Sequence, residues 1–120
     1  MDLQNKTVLF LGSSVTYGSA SGGISFVEIL GERCGINCIK EAVSGTTLVD
    51  INEKSYISRL KSIDTKLKVD LFVCQLSTND AKKKLDIREI EKSDLLHFGL
   101  CKKHFRMSYR ILYRHLLRKC

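Results

Sequence analysis

Three short apolar runs, each ending in a loop of small residues, with two helical stretches between them, predict an α/β fold. The expected architecture is a three-layer sandwich around a short parallel sheet of three strands, followed by a basic helical C-terminal tail. The runs are Thr7–Leu11, Ile36–Ile39 and Val69–Leu76. The third is mostly apolar and rich in β-branched and aromatic residues, as suits a strand buried on both faces. A β-α-β-α-β order demands right-handed crossovers, so the loops after all three strands leave the same edge of the sheet.

Each element carries its own signal. The first run breaks at Gly12 into Ser13-Ser14-Val15-Thr16-Tyr17-Gly18, and Gly22-Gly23 precede a helix expected over Ser25–Cys34. Phe26, Ile29 and Leu30 at i, i+3, i+4 mark its expected sheet-facing side, and Gly35 stops it. The second strand leads into another loop of small residues, Glu41-Ala42-Val43-Ser44-Gly45-Thr46-Thr47. Asn52 is placed to cap a helix running to about Leu67, with Ile57, Leu60, Ile63 and Leu67 on one face. The third strand ends in Ser77-Thr78-Asn79-Asp80, and a helix is expected over residues 81–92.

At 120 residues the chain is expected to be one domain with a real core, though a small one for a doubly wound enzyme. No apolar run approaches the ~18 residues that a membrane span requires, and the first residues lack a signal-peptide pattern. The five cysteines form no C-x-x-C pair, so metal ligation is not expected, and free thiols in the cytoplasm are the default. Charge divides the chain unevenly. Residues 1–81 carry 8 basic and 9 acidic side chains, whereas residues 82–120 carry 12 basic and 4 acidic. The organisation is therefore an α/β domain over 1–81 and a basic helical tail over 82–120.

A strand feeding a tight turn of small residues and then a helix is how α/β enzymes present a nucleophile at a sheet edge, and Ser14 is the candidate here. Taken alone, the stretch favours a plain Ser/Gly turn, because short motif matches arise often by chance. It is not a phosphate loop, since no Lys-Ser or Lys-Thr follows its glycines, and it lacks the second glycine of the dinucleotide fingerprint. Gly45 and Asn79 fit ordinary turn and cap roles too. What lifts the three above that reading is their common origin. Ser14, Gly45 and Asn79 sit in the loops that end three successive parallel strands.

Residues 7–81 resemble the first part of an SGNH (GDSL-type) hydrolase. The first block of that family is similar to Gly12-Ser13-Ser14-Val15-Thr16-Tyr17-Gly18, with the nucleophile at Ser14 and Ser13 in place of the usual aspartate. The second block matches at Gly45. The third, Gly-x-Asn-Asp, matches Ser77-Thr78-Asn79-Asp80 with a serine for the glycine. The resemblance implies a flavodoxin-like parallel sheet and a serine hydrolase acting on acyl esters, as an esterase, lipase or acetylesterase does. Its substrate would be a small carbohydrate or lipid ester, with no cofactor and no metal. It also implies Ser14 as nucleophile, and the Ser14 amide, the Gly45 amide and the Asn79 side chain as oxyanion donors.

The family's Asp-x-x-His block, expected near the C-terminus after two further strands, has no well-placed counterpart. Asp94-Leu95-Leu96-His97 is a literal match only 14 residues after Asp80, and His104 and His115 are the other histidines. A helix over 81–92 would carry the chain away from the catalytic edge, so His97 is expected beyond bonding reach of Ser14, with little or no turnover. The tail from about Ser93 is open to several readings. Arg106, Arg110, Arg114 and Arg118 at i+4 spacing, beside Phe105, Tyr109, Leu112 and Leu116, form an amphipathic helical pattern. It suits a nucleic-acid or anionic-membrane arm of a non-catalytic binding module, or a solvated face covering an open sheet edge that would otherwise self-associate. A third reading is out-of-frame sequence on a truncated hydrolase. With one choice of codons, residues 101–118 read one nucleotide later give AKNISECPIVFYTGTYYE, a proline, an apolar strand and a Thr-Gly-Thr turn.

Overall fold

The computed structural model describes residues 2–64, 66–86 and the backbone of 109–111. β1 (Thr7–Gly12) lies at the centre of a parallel sheet, with β2 (Asn37–Ala42) on one side and β3 (Leu71–Cys74) on the other. A fourth strand, β4 (Tyr109–Ile111), pairs in parallel with β3, so the order is β2-β1-β3-β4. The sheet therefore has four strands where the sequence suggests three, and Tyr109–Ile111 are extended where a helix is expected. The rest of the tail lies outside the described residues. The chain moves to one side of β1 and then back to the other, and such a reversal opens a crevice at the carboxyl ends of the strands.

β1 is buried on both faces, and its alternation separates two cores. Leu9 and Leu11 point into one, with Phe72 and the Tyr56, Ile57 and Leu60 side chains of α3 (Tyr56–Ser62). Val8 and Phe10 point into the other, with Leu71 and with Val27 of α2 (Phe26–Cys34). At the far end of β1 and β3, the Asp70 carboxylate accepts the Thr7 amide and the Asp70 amide donates to the Thr7 carbonyl, both at 2.8 Å.

α2 begins with a capping box. Ser25 accepts the Val27 amide at 3.2 Å, and Glu28 reaches back to the Ser25 amide at 2.7 Å. Gly35 ends it in the left-handed conformation, as expected. Phe26 and Leu30 pack against the core as the spacing suggests, but Ile29 does not. Val27 is buried and Phe26 stacks edge-on against Phe10, while Ile29 is exposed. The helix is rolled so that Gly31 lies against Cys38 of β2, where an added Cβ would meet the sulfur at 3.3 Å.

α3 is shorter than its apolar stripe. Asn52 does not cap it; its side chain accepts the Lys54 amide in a local turn, and the helix starts after Ser55. Ile63 turns extended at the other end, so Ile63 and Leu67 reach the core from the loop that follows. The helix expected over 81–92 is also cut short. α4 spans Asn79–Lys82, Lys84 adopts a left-handed φ of 54°, and the Leu85 amide bonds back to the Asp80 carbonyl at 2.9 Å. These are the bonds of a Schellman stop.

The turn after β1 leads into α1 (Ser14–Tyr17) and a 3-10 turn at Ser19–Ser21. It is anchored from β2 by Lys40, whose ammonium donates to the Tyr17 and Gly23 carbonyls at 3.1 and 2.9 Å and pairs with Glu28 at 2.5 Å. That ammonium, with the Ser25 amide, holds the Glu28 carboxyl down at about 2 from an ordinary 4.5. Gly12 is required by a close approach. A Cβ there would stand 2.0 Å from Thr16 Oγ1, and Thr16 is itself buried and bonded to Gln75 Oε1 at 2.6 Å.

Two outcomes follow from these anchors. Gly12→Ala, having no room to relax, is expected to cost about 2–3 kcal/mol, read as a lowered urea midpoint; a midpoint unchanged from the parent would mean that the turn yields. The depressed Glu28 pKa contributes stability that is present in full above its unfolded value of 4.5 and lost as pH falls towards about 2. The urea midpoint should therefore decline across that window, and Glu28→Gln should flatten the decline. Glu28 is 41% exposed, so added salt should weaken the effect.

Candidate active site

Three loops leave the carboxyl ends of β1, β2 and β3, and side chains tie them together. Ser14 opens α1, half-buried, with the buried Ser13 before it at the N-cap position. The Ser13 side chain lies against the Tyr56 hydroxyl, which donates to the Gln75 carbonyl at 2.8 Å. Burial pushes the Tyr56 pKa up, and hydrogen bonds with Ser13 and Ser77 act against that rise. A serine fits this enclosed position without bringing in a charge, whereas an aspartate there would be a buried carboxylate.

The loop after β2 is held by its carbonyls. Asn79 Nδ2 donates to the Thr46 carbonyl at 2.8 Å and Lys83 Nζ to the Gly45 carbonyl at 3.1 Å. Asp80, buried beneath the loop, accepts the Leu48 and Val49 amides at 2.9 Å each. α4 thus clamps residues 45–49 from one side. Gly45 itself sits exposed at φ 75°, in the left-handed region that glycine enters without steric cost. Among the described residues neither its amide nor that of Ser14 has a hydrogen-bond partner. Asn79 has a second amide proton beyond the one given to Thr46.

The loops after β1 and β2 meet as well. The Val43 amide donates to the Gly12 carbonyl at 3.3 Å, and the Ser19 and Ser44 hydroxyls touch. Beneath both lies Arg59, a buried guanidinium bonded to the carbonyls of Gly12 and Glu41 and to the Thr46 hydroxyl. Burial pushes its pKa down, and the Glu41 carboxylate opposes that. Sequence reasoning passed over Arg59 and gave Asp80 no role of its own. The one available signal was Arg59's place between Ile57 and Leu60, a cation inside an apolar helical stripe.

Beside Ser14 a cleft of about 260 Å³ is lined by Ser14, Val15, Gly18, Ser19, Ala20 and Ser21. Val15 and Ile24, 62% and 59% exposed, make the nearby surface apolar. A larger cleft, about 650 Å³ and lined in part by Leu3, Arg33 and Gly35, is at the opposite edge of the sheet and touches none of the candidates. His97, His104 and His115 lie outside the described residues. Among the described residues no cluster of His, Cys, Asp or Glu could hold a metal ion, and no helix is long and apolar enough to cross a membrane.

No family model and no curated protein sequence matches the chain. Solved structures do. One crystal structure at 20% identity superposes with a TM-score of 0.70 over 88% of this chain and 55% of that chain. AlinE4, described as an SGNH-hydrolase family esterase, superposes at 20% identity with a TM-score of 0.62 over 87% of this chain and 57% of its own. Its serine-to-alanine variant matches with the same TM-score, 0.62, at 19% identity. The chain thus spans little more than half the length of these neighbours. At such identities the likeness is one of fold alone, and the fold is the one that AlinE4 has.

Proposed function

We propose that the crevice is the acylation half of a serine hydrolase acting on small acyl esters. Ser14 is the nucleophile, and the amides of Ser14 and Gly45 with the side-chain amide of Asn79 are the oxyanion donors. The observation that carries this reading is the bonding of the β2 loop through its carbonyls. With the Gly45 and Thr46 carbonyls engaged by Lys83 and Asn79, the loop is fixed in advance while the Gly45 amide stays unpartnered among the described residues. Donors fixed before the reaction are what stabilises a developing oxyanion, and losing one typically costs about 3–4 kcal/mol in the barrier.

The Ser14 hydroxyl would attack the ester carbonyl, charge would collect on the carbonyl oxygen among the three donors, and the alcohol would leave. The serine proton must pass to a base. The sequence offers no well-placed Asp-x-x-His, so turnover is expected to stay near background, and a carbohydrate or lipid ester is the substrate class by fold analogy alone. The charge break after Ala81 is the one observation behind reading residues 82–120 as out of frame; against it stand the Lys83 bond to the Gly45 carbonyl and the pairing of β4 with β3. No observation on the described residues favours binding of nucleic acid or anionic membrane.

A serine-directed fluorophosphonate tests the assignment. Slow labelling at Ser14, abolished in Ser14→Ala, is expected, with ester turnover barely above background. Labelling that persists in Ser14→Ala, or none in the parent chain at high probe concentration, would sink it. Fast labelling and turnover lost in His97→Ala would instead reveal a base within the chain.

A further inference from the structure

Arg59 stands on the second turn of α3, yet its guanidinium reaches the carboxyl ends of two strands. Nη2 donates to the Gly12 carbonyl at 2.9 Å and to the Thr46 hydroxyl at 3.1 Å. Nη1 donates to the Glu41 carbonyl at 2.9 Å and lies 3.6 Å from the Glu41 carboxylate. Nε donates to the Lys54 carbonyl at 2.7 Å, and the Tyr56 ring lies 5.1 Å from the guanidinium carbon. Four of the five N–H groups are in hydrogen bonds, and the fifth has a carboxylate beside it.

Gly12 is two residues before Ser14, and Thr46 directly follows Gly45. One nitrogen of one planar group therefore holds both loops that carry the candidate backbone donors. We propose that Arg59 is a positioning residue, setting the loop after β1 against the loop after β2 so that the Ser14 and Gly45 amides converge on one oxygen. The proposal rests on the reading of Ser14 as nucleophile. Stability alone is a poor reason for a cation here, because burying a charge costs desolvation that a well-packed apolar side chain of similar volume avoids. An apolar side chain would fill the space and leave the two loops unlinked. Lysine would not substitute: its ammonium carries three donors, not in the plane that fixes these acceptors relative to one another.

The hydroxyl of Thr46 completes the connection. It accepts from Arg59 and donates to the Val43 carbonyl at 2.7 Å, within the same loop. The Gly12 carbonyl accepts twice, from Arg59 and from the Val43 amide, so both of its lone pairs are used.

The test measures fluorophosphonate labelling of Ser14 over a range of probe concentrations in the parent, Arg59→Lys and Thr46→Val, alongside the melting temperature and the amide resonances of Ser14 and Gly45. A misplacement of about 1 Å can lower a rate by roughly 100-fold. Both variants are expected to lower the maximal labelling rate by about 10- to 100-fold, leave the half-saturating probe concentration unchanged and shift both amide resonances. Added guanidinium should restore part of the rate in Arg59→Ala, while ammonium should not. A folded Arg59→Lys with a maximal rate within twofold of the parent overturns the proposal. Thr46→Val, which keeps the guanidinium and its other bonds, decides by the same criterion if Arg59→Lys does not fold. Should the parent show no labelling at Ser14, the hydrolase reading fails by itself. The positioning is then judged by the amide resonances, and unmoved Ser14 and Gly45 signals overturn it.

Discussion

A cation under a crevice must be bonded on almost every side, and meeting that demand organises the carboxyl edge of this sheet. The loops after β1 and β2 have little regular structure, so their own backbones supply few mutual bonds. Arg59 supplies the missing ones by drawing carbonyls from the ends of β1 and β2 and a hydroxyl from the intervening loop. Asp80 works in the opposite sense, presenting acceptors to the Leu48 and Val49 amides from the side of β3. Between a buried donor and a buried acceptor, the loop carrying Gly45 is constrained from both flanks. Each group would be costly if unpaired, which makes the constraint strict.

The two candidate backbone donors were left outside that bonding. The Ser14 and Gly45 amides have no partner among the described residues, while their neighbours' carbonyls and hydroxyls do. This division is chemically sensible for a site that must offer hydrogens to a substrate. It also explains why the small cleft beside Ser14, and not the larger one at the amino edge, is the place to look for chemistry. Volume alone distinguishes nothing; the direction in which backbone groups remain available does.

Much of the framework was legible in the sequence, because β1 and β3 are apolar runs ended by glycine or small polar residues, and buried parallel strands leave that mark. The loops carrying Ser14, Gly45 and Asn79 were legible for the same reason. Helix faces were less so. Ile29 is exposed because Gly31, not a bulky residue, faces β2, and a periodicity count treats glycine as silent. The α3 stripe continued past the helix because Ile63 and Leu67 pack from a loop, which composition does not distinguish from a helix. Arg59 was passed over because a cation on a helix is normally solvated. Only the spatial meeting of four separate carbonyl and hydroxyl acceptors reveals otherwise. β4 was hidden by the i+4 series of arginines over residues 106–118, to which it contributes Arg110, and residues 109–111 pair with the β3 edge instead.

Residues 75–108 intervene between β3 and β4, whereas β1, β2 and β3 with their loops fall within the first 74 residues. Synthesis proceeds from the amino end, so the inner sheet can assemble on the ribosome well before its last strand emerges. During that interval one side of β3 exposes unpaired N–H and C=O groups to whatever extended chain is nearby. Its four residues offer only a short template, so capture by a neighbouring nascent chain would be brief and reversible. Docking of β4 ends that exposure on the β3 side and passes the edge outward to a strand of three residues.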